Sequence, residues 1–242
     1  LGDVYKRQII AFPTETVFGL GADATNSRAI DRIYQVKRRP RDHPLILHLP
    51  DLESANYWVK EIPKTAIMLA EAFWPGPLTI ILKLADNLTT NFNGNQESVA
   101  IRVPSHPVAQ SILKRMRRGI VAPSANIFGR LSPTAYAHVF EELGHNLDFV
   151  IKCEPSNIGI ESTIVDLTQL DPVILRPGQI DQKSLSFVLG REVYLESKTD
   201  IRSPGSHPMH YSPATTLTIV YRDDLEKFLH RDACGISVAV LG

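Results

Sequence analysis

The alternation of short apolar, β-branched runs with segments of helical period constrains this chain more than any other feature. Strand-length runs fall at 9–12, 45–49, 78–84, 98–103, 119–122, 149–152, 163–167 and 173–175, mostly bounded by Pro, Gly, Asn or Asp. Between them, segment 28–38 places Ile30, Ile33, Tyr34 and Lys37 at three-to-four spacing behind a cap at Asn26 and Ser27. Pro63 opens a second helix, stopped by the Trp74-Pro-Gly-Pro77 run. Ser105 with Pro107 and Ser132 with Pro133 open two more. Such an order predicts an α/β fold, a twisted mixed β-sheet with helices around it.

The composition narrows the function classes. Lysine plus arginine and aspartate plus glutamate both total 26, so the formal charge is zero. A chain that binds nucleic acid by bulk charge is thereby excluded. With 43% hydrophobic residues, wholesale disorder is excluded too. Cys153 and Cys234 are the only cysteines. They cannot build a disulfide scaffold or a four-cysteine zinc site, so a reducing, cytoplasmic setting is expected. His207 and His210 have no further pair or carboxylate to complete a site, so no metal ligand set is predicted. No apolar run approaches the ~20 residues of a membrane span, so no membrane partner is expected.

Residues 1–195 read as the main domain. The N-terminus lacks methionine and runs straight into a strand, so the start reads as truncated. After Val193 the composition shifts, and 196–214, rich in Pro and Ser, reads as a linker. Residues 215–242 then read as strand–helix–strand, the opening of a Rossmann-like second domain. Some thirty residues are too few for an independent core.

Four loops carry unusual polar residues beside strands. Pro13–Gly21 brings two hydroxyls, a carboxylate and two glycines off one sheet end, a setting for a small polar ligand or simply a tight turn. In Lys37-Arg-Arg-Pro-Arg-Asp-His43, four cations meet a proline that ends the helix. They suit either the helix dipole or phosphate oxygens. Ala122-Pro-Ser-Ala-Asn126 offers a hydroxyl and an amide, and Gly159-Ile-Glu-Ser-Thr163 leads into a strand that the next, ending Arg176-Pro-Gly178, follows. Lys114-Arg-Met-Arg-Arg118 is a basic cluster readable as a solvated helix end or as an RNA-facing patch.

The ordered set FPTETVFGLGA, KRRPRDHPLILHL, WPGPLTIIL, VAIRVPSHP, APSAN, SPT, GIESTIVDL and ILRPG resembles the YrdC-like threonylcarbamoyl-AMP synthase family. SPGSHPMHYSP is similar to the linker of its longer, two-domain members, so the chain reads as truncated at both ends. The resemblance implies a concave, basic cavity beside the sheet. It also implies condensation of L-threonine, bicarbonate and ATP to threonylcarbamoyl-adenylate and pyrophosphate, with Mg²⁺ on the phosphates. The adenylate would serve a transferase machinery that modifies tRNA. Position by position, it implies Lys37 and Arg39 as catalytic cations. Arg39, His43, Ser98, Ser124, Asn126, Ser132, Arg176 and the linker's Tyr211 would bind the nucleotide, Tyr211 as part of a lid. Thr16, His48, Arg102 and Ser162 would bind threonine. His43 and Ser98 stand where many members have asparagine and threonine. Two rivals stay open at this stage: a non-enzymatic double-stranded RNA or tRNA binder contacting RNA directly, and a carbamoyl-transferring domain of a hydrogenase-maturation enzyme.

Overall fold

The computed structural model describes residues 8–195, 201–203, 212, 218, 220–224 and 226–228. Contacts divide the chain into 1–212 and 213–242. In the second unit the described residues include a 3₁₀ turn at Arg222–Asp224, with Lys227 3.6 Å from Asp224. The proposed second-domain strands and Tyr211 lie largely or wholly outside the described residues.

The first unit is built on one ten-stranded sheet. Its strands are β1 (Ile10–Phe12), β2 (Gly19–Asp23), β3 (Ile46–His48), β4 (Leu78–Lys83), β5 (Ser98–Arg102), β6 (Ile120–Val121), β7 (Phe149–Val150), β8 (Thr163–Asp166), β9 (Val173–Arg176) and β10 (Tyr194–Leu195). They lie in the order β10-β9-β8-β4-β5-β3-β6-β2-β1-β7. Parallel and antiparallel pairs mix: β3 runs parallel to β5 and β4 parallel to β8, while β4 and β5 are antiparallel. The helices are α1 (Ser27–Lys37), α2 (Lys64–Phe73), α3 (Pro107–Met116), α4 (Tyr136–Leu143) and α5 (Gln182–Leu189).

Because strand side chains alternate, the central strands sort their residues cleanly between two faces. Leu47, Ile80, Leu82, Val99, Ile101 and Val165 join the main core with Ile30 and Ile33 of α1 and Leu69 of α2. Ile46, Ile81, Ala100 and Ile164 form a separate cluster. Register then completes the opposite face. His48 pairs with Arg102 across β3 and β5, and Thr79 of β4 pairs with the same Arg102. Three polar side chains therefore stand in a row across three central strands, all buried.

Several sequence expectations change. The loop read over 13–21 contains the start of β2, in which Gly21 is needed because a Cβ there would lie 2.7 Å from the Phe12 ring. Helix α4 begins at Tyr136 rather than at Ser132, whose hydroxyl instead donates to the Glu161 carboxylate. His106, not Ser105, caps α3, its Nδ1 accepting from the Val108 amide at 3.2 Å. Helix α5 and strand β10 were not anticipated. The helix carries its own signals: Asp181 caps the Ser184 amide, and Gly190 takes a left-handed φ of 63° at its end.

Gly178 closes β9 where two backbones touch: a Cβ would sit 2.5 Å from the Thr163 amide nitrogen and 2.7 Å from the Glu161 carbonyl oxygen. Gly178→Ala should therefore cost about 1–3 kcal/mol, a fall of several degrees in calorimetric Tm. An unchanged Tm would show that the strand end yields freely.

Candidate functional site

Helix α1 ends at Lys37 because Arg38 takes the left-handed conformation, φ 53°, and Pro40 follows. The reversal, sealed by the Arg39 amide on the Tyr34 carbonyl at 2.9 Å, turns Arg39 into the protein. Its Nη2 donates to the Pro44 carbonyl at 2.8 Å, and its guanidinium lies over the Phe128 ring, 5.3 Å from the centroid. Burial lowers Arg39 to about 10, with Arg176 adding to the fall, so it stays charged at neutral pH.

Lys37 behaves differently. It is 1% exposed, and its Nζ donates to the Ser124 carbonyl at 2.6 Å and the Asn126 carbonyl at 2.5 Å. Burial, with Arg39 beside it, pushes its pKa well below the usual lysine value. The side chain is thus a strut beneath the Ser124–Asn126 loop. Asn126 fastens that loop further through Nδ2 to the Ile127 and Arg130 carbonyls.

Across the sheet, Arg102 is held on three sides. Its Nε donates to the Gly76 carbonyl at 3.3 Å, Nη1 to Thr16 Oγ1 at 2.9 Å, and Nη2 to Glu15 Oε1 at 2.7 Å. One N–H on each terminal nitrogen is left. Glu15 Oε2 also accepts from the Ser105 amide at 3.1 Å, tying the first loop to the approach to α3. Thr14 Oγ1 donates to the Val17 carbonyl at 2.7 Å, so the Thr16 hydroxyl, 2.9 Å away, donates to Thr14 and accepts from Arg102. Ser162 Oγ lies 2.7 Å from Thr79 Oγ1 and accepts from Arg176 Nη2 at 3.1 Å. His48 is pushed down to about 3 by burial and by Arg102. Its Nδ1 lies 3.2 Å from the Ile46 carbonyl, and the Ile120 backbone also meets the ring.

These groups converge. Thr16, Arg39, His48, Arg102, Ser124, Ser162 and Arg176 line one cavity. Lys37 and Asn126 sit behind its wall. His43 packs its ring on Phe128 at 5.1 Å, beside Arg39. Ser98, at the start of β5, lines a different cleft, and Ser132 faces Glu161. Sequence reasoning singled out neither Glu15 as the clamp on Arg102 nor Glu161 as the carboxylate lining the cavity. The polar character of both loops was visible; which cation each acid meets depends on contacts as distant as Arg102 and Glu15, 87 positions apart. Among the described residues, no group of three or more His, Cys, Asp or Glu is placed to hold a metal ion.

Two consequences are measurable. Arg102 and Glu15 are 4% and 7% exposed, so removing the acid strands a buried cation. Glu15→Ala should cost about 3–5 kcal/mol in urea unfolding, most of it recovered when Arg102→Met is added. No recovery would mean that the pair is not coupled. For His48, the unfolded chain binds a proton near pH 6.5 that the folded chain refuses until about 3. Its contribution to stability is therefore complete above pH 6.5 and declines as pH falls through that window. Between pH 7 and 5 the wild type should lose about 2 kcal/mol more than His48→Gln. Equal losses would place the proton uptake elsewhere.

Comparison with known proteins sets this cavity in a family. The Sua5/YciO/YrdC family model, described as telomere recombination, matches residues 4–178. The chain is 40% identical over 224 residues to the threonylcarbamoyl-AMP synthase of Pyrococcus abyssi, covering 90% of this chain and 66% of that protein. It is 38% identical to the Bacillus subtilis threonylcarbamoyl-AMP synthase, covering 88% and 63%. The chain thus spans just under two thirds of the length of these relatives. The crystal structure of P. abyssi Sua5 complexed with L-threonine superposes with a TM-score of 0.90 at 37% identity, over 96% of this chain and 72% of that one. With the family match extending over nearly the whole cavity-bearing unit, the chain belongs to the Sua5/YciO/YrdC family.

Proposed function

We propose that this chain catalyses the synthesis of threonylcarbamoyl-adenylate from L-threonine, bicarbonate and ATP, releasing pyrophosphate and water. The observation that carries the reading is the union in one cavity of three arginines with neutral hydroxyls, threonine-recognition chemistry beside phosphate-recognition chemistry. A surface for duplex RNA would spread its cations over a wide face.

In this reading Arg102 receives the amino-acid carboxylate through its two uncommitted N–H groups. Glu15 and Thr16 fix the guanidinium and prevent it from swinging to the phosphates. Thr16, Ser162 and the neutral His48 surround the rest of threonine. The substrate amine adds to the carbon of bicarbonate with loss of water, giving a carbamate. A carbamate oxygen then attacks the α-phosphorus, and the bond to pyrophosphate breaks. Negative charge grows on phosphate oxygens, and Arg39 and Arg176 are preorganised to meet it. Lys37 acts through the Ser124–Asn126 loop as a positioning residue, since two of its three N–H groups are held by that loop's carbonyls.

Ser124 then binds phosphate, while His43, Ser132 and Tyr211 complete the nucleotide contacts; Ser98, lining a separate cleft, is not among them. Asn126 acts on the nucleotide through the loop that it fastens from behind the wall. The donor set fits a Mg²⁺ held mainly by ATP: among the described residues Glu161 is the one carboxylate lining the cavity, too few for a protein cage. The ion would neutralise phosphate charge when bound. The adenylate would pass to tRNA-modifying machinery.

Pyrophosphate release should require threonine and bicarbonate together, and Arg39→Ala should lower turnover about 10²–10³-fold. A site that hydrogen-bonds the substrate hydroxyl leaves its own groups unpaired around valine, so threonine should exceed valine by about 10⁴-fold, and serine by far less. Comparable release with valine, or release without bicarbonate, would overturn the proposal.

A further inference from the structure

A second cleft, of about 720 Å³, opens at the C-terminal end of α3 and shares no lining residue with the cavity. One side is cationic, with Lys114, Arg117 and Arg118, all exposed. The other presents Tyr57, 62% exposed. Trp58 holds that ring edge to face at 5.0 Å, which fixes its orientation and leaves the Tyr57 side chain toward solvent. The volume falls within the ~300–1,000 Å³ of small-molecule sites.

The charges do not cancel within the cleft. Asp51 is taken up by its own turn, accepting from the Ser54 amide at 2.8 Å and hydroxyl at 2.7 Å. Asp23, just outside, accepts from the Thr25 amide and hydroxyl at 2.8 and 2.7 Å and meets Arg118 only at 3.4 Å. Among the described residues Lys114 and Arg117 make no ion pair. A planar ring set opposite three cations, two of them uncommitted, matches a base and its phosphates: stacking is tolerant of base identity, while Arg and Lys meet phosphate oxygens. We infer that this cleft is a second nucleotide-binding site, with Tyr57 against the base and Lys114, Arg117 and Arg118 on the phosphates.

The nucleotide unit could be free or part of an RNA strand, and one experiment separates the two. Calorimetric titration is run with ATP and with a short single-stranded oligoribonucleotide. Wild type is compared with Lys114→Glu/Arg117→Glu and with Tyr57→Ala, none of which touches the cavity. For a free nucleotide, wild type should bind two ATP per chain and the variants one, with pyrophosphate release within about twofold of wild type. For a strand, oligonucleotide affinity should fall at least tenfold in the variants while ATP stoichiometry stays at one. One ATP per chain, lost in the variants, would keep the cleft and remove the catalytic reading instead. ATP stoichiometry and oligonucleotide affinity both unchanged by the substitutions would overturn the inference.

Discussion

The buried ion pair between Glu15 and Arg102 is the interaction on which the rest of this site depends. A charged side chain on the inner face of a central strand is tolerable only if its hydrogen-bonding groups are met where they stand. Arg102 achieves this with the Gly76 carbonyl, Thr16 and Glu15, drawing the segments before β4 and after β1 onto β5. Through its second oxygen Glu15 also reaches Ser105, so the same carboxylate fixes the approach to α3. That closure leaves the guanidinium two N–H groups and a fixed orientation at the cavity wall.

Lys37 applies the same rule to the other half of the cavity. A fully buried ammonium needs acceptors on all sides, and the Ser124 and Asn126 carbonyls provide two of them. The loop that would meet phosphate is therefore shaped from beneath by a helix end. The left-handed Arg38 makes this possible: it ends α1 one residue after Lys37 and lets Arg39 enter the cavity from the adjoining position. Lys37 and Arg39 thus have opposite surroundings, one buried against loop carbonyls and one lining the cavity, because a single backbone reversal lies between them.

Much of this could be read from residues alone, for identifiable reasons. The apolar runs at 45–49 and 98–103 locate β3 and β5 from sequence, whereas it is the parallel pairing of the two strands that makes His48 and Arg102 neighbours. Other features depend on tertiary contact. Lys37 looks from sequence like a helix-end cation suited to phosphate, and nothing local reveals the carbonyls that capture it some ninety residues away. Ser132 followed by proline has the form of a helix start, yet its hydroxyl is drawn to Glu161, and α4 waits until Tyr136. Strand β2 is hard to read from sequence because Gly19 and Gly21 lower strand propensity, though packing against Phe12 requires the small size of Gly21.

The segment following β10 extends this logic beyond the sheet. Arg202 donates to the Gly94 carbonyl and lies 3.1 Å from Asp42, while its amide donates to Gln96 at 2.7 Å. Ile201 packs against the Ile46–Ala100 cluster, beside which the cavity opens. Ten residues later the Ser212 amide donates to the Gly129 carbonyl at 2.8 Å, beyond the Ser124–Asn126 loop and next to Phe128. These anchors are specific in chemistry: the Arg202 guanidinium meets a carboxylate and a carbonyl, its amide meets the Gln96 side chain, and the Ser212 amide meets a loop carbonyl. Backbone donors held in this way are not left to water. The path of the chain at 201–203 and again at 212 is therefore set by the same sheet face and the same loops that build the cavity.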